Sequence, residues 1–335
     1  MARQSIRAAR KKEYEGLSFE EMMKKRFSRE KVHKFFIGSK DQQGFLKMFA
    51  IYALLICIGF IYIYPLLYML STSLMNRDDL LDTSVKWLPS TLYLQNYIAA
   101  ASSMSFWSSL GKGLVISGVP TLCNIVICMI VGYGFATYEF KGKKLMMALV
   151  IFTYILPSQV TMIPTYVLYN DMKILGTIMT FVLPALFGNG LNAPIFILIF
   201  YQFFRQLPKV LREAAYIDGA GHFKTFYQIA VPSAIPAIIT VLLFSFVWYW
   251  NEAYLTELYV RGLGSNSFWT NLVIQLKNFN DTFSTRATTG DAAVSLSESV
   301  RMAATTLSVL PLMIMYFILQ KYFVESIDRS GITGE

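Results

Sequence analysis

The sequence predicts an all-α membrane protein of six transmembrane helices with both termini in the cytoplasm. Three observations carry that prediction. Of the 335 residues, 55% are hydrophobic and only 15% charged, whereas a soluble domain is about a quarter charged. The apolar residues fall into six windows long enough to cross a bilayer, which takes about 20 residues each. Lysine and arginine collect in alternate inter-window segments, as they do on the cytoplasmic side of membranes.

The windows run from about 47 to 70, 113 to 137, 145 to 168, 178 to 203, 234 to 255 and 301 to 322. The first is too long, and starts too late, for a cleavable signal peptide. Pro120, Asn124, Gly132 and Gly134 lie in the second. Pro157 and Pro164 in the third, and Pro184 and Pro194 in the fourth, predict interrupted helices. With the N-terminus inside, the cytoplasmic segments hold 22 of the 30 Lys and Arg residues. The first of these segments contributes 13.

The chain divides into four parts. Residues 1–44 form a basic cytoplasmic segment with 12 Lys/Arg against 6 Asp/Glu. Ser18 and Glu21 fit a capping box. Phe19, Met22, Met23 and Phe27 then predict a basic amphipathic helix on the anionic inner leaflet; a basic tail serving topology is the plainer alternative. Residues 45–108 supply the first helix and an extracytoplasmic loop. Residues 109–325 form the transmembrane core with an inner loop at 204–233, and 326–335 a cytoplasmic tail. The segment 258–298, rich in Ser and Thr near its end, is predicted to be a second outer loop facing solvent.

Composition excludes several functions. The net charge of +9 sits mostly beside the first span, so membrane lipid explains it better than nucleic acid. Cys57, Cys123 and Cys128 lie in apolar stretches, and His33 and His222 are the two histidines; a zinc site or disulfide framework is not expected. There is no G-x4-G-K-[ST] nucleotide loop and no Gly-x-Ser-x-Gly elbow, so neither ATP binding by this chain nor catalysis is expected. Gly132-Tyr133-Gly134 fits close helix packing better than dinucleotide binding.

The inner segment 204–233 is longer than a connection between two spans requires. Leu211, Ala214, Ala215, Ile217 and Asp218 predict one short helix, broken at Gly219-Ala220-Gly221. His222 to Ala230 predicts a second, with Phe223, Phe226, Tyr227 and Ala230 at helical spacing and Pro232 ending it. Gly219 is expected to permit a tight turn that a side chain would obstruct.

Glu213-Ala214-Ala215, two residues, then Asp218-Gly219-Ala220, with Phe226, Ile229 and Pro232 following, resembles the EAA motif of binding-protein-dependent ABC importer permeases. The similarity extends from about 109 to 325, on the sugar-importing branch and on the side of the smaller maltose permease. Gly132-Tyr133-Gly134-Phe135-Ala136, Phe140-Lys141-Gly142, Pro157-Ser158-Gln159, Ile163-Pro164, Trp250-Asn251-Glu252 and Gln320-Lys321-Tyr322-Phe323-Val324 carry it. Glu252 stands where the branch often has Asp, and Ser326 where it often has Gly.

The resemblance implies a type I ABC importer permease in a prokaryotic plasma membrane. Its loop would form a coupling helix against an ATPase dimer, with Glu213, Ala214, Ala215, Asp218, Gly219, Ala220, Phe226 and Pro232 as the contact set. A second homologous permease and an extracytoplasmic solute-binding protein would complete the complex, with ATP and Mg used by the partner ATPase. The cargo implied is a carbohydrate, an oligosaccharide by preference; a polyamine or glycerol phosphate is the alternative. Polar and aromatic residues in the spans mark a candidate substrate pathway: Asn124, Tyr154, Gln159, Asn189, Asn192, Trp248, Asn251 and Glu252. Hydrogen bonding between helices is the plainer role for each.

Overall fold

The computed structural model describes residues 38–39, 42–43, 45–82, 87–261, 268–279 and 298–332, with side chains as far as Tyr322. The expected capping box and amphipathic helix at 18–27, and most of the outer loop 258–298, lie outside the described residues. The chain forms two compact units, Met1–Tyr68 and Met69–Glu335.

In the first unit, β1 (Gly38–Ser39) pairs antiparallel with β2 (Gln42–Gln43); its other described residues are helical. α1 (Phe45–Ser73) has 29 residues and is about 43 Å long at 1.5 Å per residue, enough to cross a hydrocarbon core of about 30 Å. From Phe45 to Tyr68 its large apolar side chains are exposed on every side. A helix that is apolar all round has lipid or other protein as its solvent.

In the second unit, the last turn of α1 is buried through Met69, Thr72 and Ser73. The Asn96 side-chain amide, on α3 (Gln95–Ser103), donates to the carbonyls of Ser73 (2.9 Å) and Met75 (2.8 Å). Between them Asn76 caps α2 (Arg77–Leu81). Asp79 accepts from the Ser90 N–H at 3.1 Å and from its hydroxyl.

α4 (Phe106–Thr137), 32 residues long, is the axis of this unit. α7 (Met179–Leu186), α8 (Ala193–Gln206) and α11 (Ile235–Asn251) pack on it. Their shared core joins Ile125, Cys128 and Met129 to Phe196, Ile197, Phe200 and Val241. The approach is closest at Gly132. A Cβ there would lie 2.6 Å from the Phe200 Cβ and 2.9 Å from the Tyr201 backbone nitrogen. Helix packing is therefore what Gly132 serves; at Gly134 a Cβ would meet nothing within 4 Å. A second core gathers α3, α12 (Leu272–Lys277) and α13 (Glu298–Ile332) around Trp250. The Trp250 indole donates to the Ser308 carbonyl at 3.3 Å.

Two expected spans are not continuous helices. The window 145–168 consists of α5 (Lys143–Ile155) and α6 (Ser158–Asp171), bent by 96°. Pro157 holds Leu156 extended (ψ 123°), as a residue before proline is held; Pro164 lies inside α6 without breaking it. The window 178–203 consists of α7 and α8, separated where Gly188 (φ 73°) and Asn192 (φ 54°) are left-handed. Pro194 sits at the start of α8, where its missing N–H costs nothing. Among the described residues, α1, α4 and α13 are long and apolar enough to cross a membrane alone. Counting each bent pair, α5–α6 and α10 (His222–Ser233) with α11, as one span makes five. The helix expected to end near 322 runs on to Ile332, through most of the expected tail.

Candidate functional site: the hairpin 209–233

The segment 204–233 folds as the expected helical hairpin. α9 (Lys209–Ile217) follows Pro208 and buries Ala215 against the unit, while Glu213, Ala214 and Asp218 face outward. It ends in a Schellman motif. The Gly219 N–H donates to the Tyr216 carbonyl at 3.1 Å and the Ala220 N–H to the Ala215 carbonyl at 2.9 Å, satisfying carbonyls that a helix end otherwise leaves open. The motif requires a left-handed residue, and Gly219 has φ 78°. A Cβ on Gly219 would touch nothing within 4 Å, so glycine stands there for its backbone freedom.

α10 departs from expectation at Pro232. The helix widens into a π turn over Phe226–Ala230 and continues through Pro232 to Ser233. The Val231 N–H donates five residues back, to the Phe226 carbonyl. The widened turn lets the helix carry a residue with no N–H donor. The helix then turns by 72° into α11.

Aromatic side chains brace the hairpin. The Tyr216 hydroxyl and His222 Nδ1 lie 2.8 Å apart, joining α9 to α10. The Tyr138 ring meets His222 edge-on at 5.6 Å. Phe226 points inward, its ring 4.9 Å from Tyr133, which meets Phe204 edge-on at 5.2 Å. The hairpin is thus keyed to the ends of α4 and α8. Beside it, Lys143 bonds Glu139 at 2.8 Å; that hydrogen bond holds the Glu139 carboxyl below its usual range.

The outward face carries Ile217 and Phe223, 86% and 82% exposed, with Val210 and Tyr227 beside the Glu213 and Asp218 carboxylates. An apolar face this open, flanked by charge, is typical of a protein contact. Of the expected contact set, Glu213, Ala214, Asp218 and Gly219 are presented outward; Ala220 and Phe226 are half-buried, Ala215 is buried and Pro232 is exposed. The brace residues Tyr133, Tyr138, Tyr216 and His222 escaped the sequence reading. They come from the end of α4, from α9 and from α10, so no single spacing links all four.

The candidate pathway residues fall into separate groups. Asn124 is fully buried. Its amide donates to the Leu191 carbonyl (3.2 Å) and the Ser245 hydroxyl (3.4 Å). The Leu191 N–H donates to the Tyr249 hydroxyl at 3.0 Å. These bonds secure the non-helical segment between α7 and α8, which exposes Asn189 and Asn192. Trp248 is half-buried, its ring 5.3 Å from Phe196. Tyr154 and Gln159 are exposed either side of the α5–α6 corner. Asn251 ends α11, and the Glu252 carboxylate caps the next turn, accepting from the Leu255 N–H at 2.9 Å.

A long-helix membrane unit with a braced, exposed hairpin between its helices is the build of a transporter permease. Residues 124–329 match the family described as binding-protein-dependent transport system inner membrane component. That is more than half of the chain, so the protein belongs to this family and is a multi-pass membrane protein. It is similar to the osmoprotective compounds uptake permease protein GgtD of Synechocystis sp., with 31% identity over 299 residues covering 86% of this chain and 93% of that protein. Its identity to the arabinooligosaccharides transport system permease protein AraQ of Halalkalibacterium halodurans is 27% over 283 residues, covering 83% and 93%. The fold matches the crystal structure of a bacterial ABC transporter involved in the import of the acidic polysaccharide alginate. That match has a TM-score of 0.69 and 22% identity, and covers 82% of this chain and 96% of that one.

Proposed function

We propose that this chain is one of two permease subunits of an ATP-driven importer for a sugar, an oligosaccharide by preference. The second permease is a related chain, and an extracytoplasmic binding protein delivers the cargo. ATP with Mg is consumed on a partner ATPase dimer that grips the hairpin 209–233. In this reading the chain crosses the membrane six times, through α1, α4, α5–α6, α7–α8, α11 and α13, with both termini inside.

The observation that carries the proposal is the hairpin itself. It shows Glu213, Asp218, Ile217 and Phe223 outward while Phe226 and Tyr133 fix it to the bundle. Such a body moves as a unit when its partner moves. The carboxylates supply charge-assisted bonds and the apolar side chains supply burial. The π turn lies in the hairpin's second helix and the 72° turn between that helix and α11, where a push on the hairpin reaches the spans.

For the cargo, the broken helix exposes two neutral amides, Asn189 and Asn192, with half-buried Trp248 on the neighbouring α11. Neutral hydrogen-bonding groups with aromatic rings suit sugars, and suit a polyamine or glycerol phosphate less well. Two of the similar proteins serve arabinooligosaccharide transport and alginate import, which supports the same choice. The test is uptake of labelled oligosaccharides into proteoliposomes holding the whole complex, with ATP inside and binding protein outside. Uptake that needs ATP and is lost in Gly219→Pro is expected. Normal uptake and ATPase co-purification with Gly219→Pro would sink the coupling role, and uptake of a polyamine in place of any sugar would sink the cargo.

A further inference from the structure

The connection between α1 and α4 is built inside out. Its polar groups are buried: Ser73 and Asp79 near the end of α1, Asn96 and Ser103 on α3, and Ser109 at the start of α4. Hydrogen bonds fix its backbone to the end of α1. The Tyr93 N–H donates to the Leu74 carbonyl at 2.9 Å and the Ser71 hydroxyl to the Trp87 carbonyl. The Ser73 and Tyr97 hydroxyls lie 2.7 Å apart. Large apolar side chains are left outside. Leu88 is 83% exposed, Leu92 71% and Trp107 80%, with Leu94 and Ile98 exposed in the same stretch. Residues 87–111 include no Asp, Glu, Lys or Arg.

A segment surrounded by water has the opposite arrangement, and a surface of this kind marks a membrane or a protein contact. Three observations favour the membrane. The stretch joins the ends of α1 and α4, two helices long and apolar enough to cross, so it lies at the level where a bilayer meets water. Trp87, Tyr93 and Trp107 are of the residue types that settle at that level. Trp107 also begins a stripe of exposed apolar side chains along α4, through Leu114, Leu122 and Val126, at spacings that keep them on one side of the helix. At Trp107 the surface is therefore continuous with that of a span. A soluble partner that docks and leaves would return this surface to water each time.

We infer that residues 88–107 lie in the bilayer interface and not in solvent, with Leu88, Leu92, Leu94, Ile98 and Trp107 in the glycerol and upper acyl region of one leaflet. Interfacial segments seat their apolar faces about 5–10 Å into that boundary. The placement requires only that α1 and α4 end there; the topology proposed above makes the leaflet the outer one. Such a collar holds the first end of α4 at a fixed depth while the hairpin, keyed to its other end, is moved.

The test is spin-label accessibility in the whole importer complex, reconstituted in vesicles of phosphatidylglycerol and phosphatidylethanolamine. Cys57, Cys123 and Cys128 are replaced by alanine, and single labels are placed through Leu88→Cys, Leu92→Cys and Ile98→Cys. All three side chains are exposed, so a label there displaces no neighbour within the chain. Faster relaxation by oxygen, which partitions into lipid, than by a water-soluble nickel chelate present on both faces is expected at each site. Faster relaxation by the chelate would put the segment in water and overturn the inference. Labels reached by neither reagent would be covered by protein, and labels that all prevent assembly would mark the same contact; either result overturns it as well. An intact complex that takes up no sugar while its labels report lipid would instead count against the transport reading alone.

Discussion

Gly132 and Gly219 show two separate reasons for a glycine. At Gly132 the constraint is space, because a methyl group would press on Phe200 and on the backbone at Tyr201. Backbone cannot swing aside, so Gly132→Ala should cost about 1–3 kcal/mol through overpacking and lower the melting temperature of the purified complex. Gly134→Ala, with open space around it, should leave that temperature unchanged. At Gly219 the constraint is the φ of 78°. Gly219→Ala should cost about 1–2 kcal/mol for a left-handed alanine and reduce uptake, and Gly219→Pro, whose ring fixes φ near −65°, should abolish it. Asn124 is a third kind of residue. Asn124→Leu removes the donor to the Leu191 carbonyl, and a buried group left unpaired costs about 1–3 kcal/mol. A loss of thermal stability together with uptake is the expected result; full stability with altered sugar preference would mark Asn124 as a cargo contact instead.

At the scale of elements, the hairpin was legible and its bracing was not. Gly219-Ala220-Gly221 separates two apolar-periodic stretches, and the turn forms there. Pro232 was misleading, because the π turn over Phe226–Ala230 absorbs it. The Tyr216–His222 pair joins α9 to α10 across the turn. Tyr216→Phe removes that hydrogen bond, worth about 0.5–1.5 kcal/mol, and keeps the ring contact. It should loosen the hairpin without unfolding the protein, so that more ATP is hydrolysed per solute imported. An unchanged ratio of uptake to hydrolysis would show that the brace plays no part in coupling. The window 178–203 shows the opposite balance. It has the length and apolarity of one span, yet Gly188 and Asn192 open it, and Asn124 and Tyr249 hold the opening from other helices.

For the whole molecule, the proposed topology puts the hairpin and α12 on opposite sides of the membrane. Phe223→Cys should react with an impermeant maleimide only in inverted or permeabilised membranes, and Asn278→Cys in sealed cells; the reverse pattern would invert the chain. Glu213→Lys replaces an outward-facing carboxylate with a cation, and the ATPase should no longer co-purify, while the permease still inserts and melts normally.

The sequence by itself determined the membrane, the helical class, the hairpin and the family. Each of these is written in local patterns: apolar length, charge between windows, and fixed spacing from Glu213 to Pro232. The tertiary structure alone decided what the polar residues in the spans do. Asn124 turned out to secure a broken helix, because a polar side chain's partner depends on which helices meet; Glu252 caps a turn three residues ahead, a local contact. It also decided that Tyr133, Tyr138, Tyr216 and His222 converge on the hairpin, and that Lys209 and Arg212 line a cleft. Tyr133 and Tyr138 come from the end of α4, Lys209, Arg212 and Tyr216 from α9 and His222 from α10, so only packing brings these three elements together.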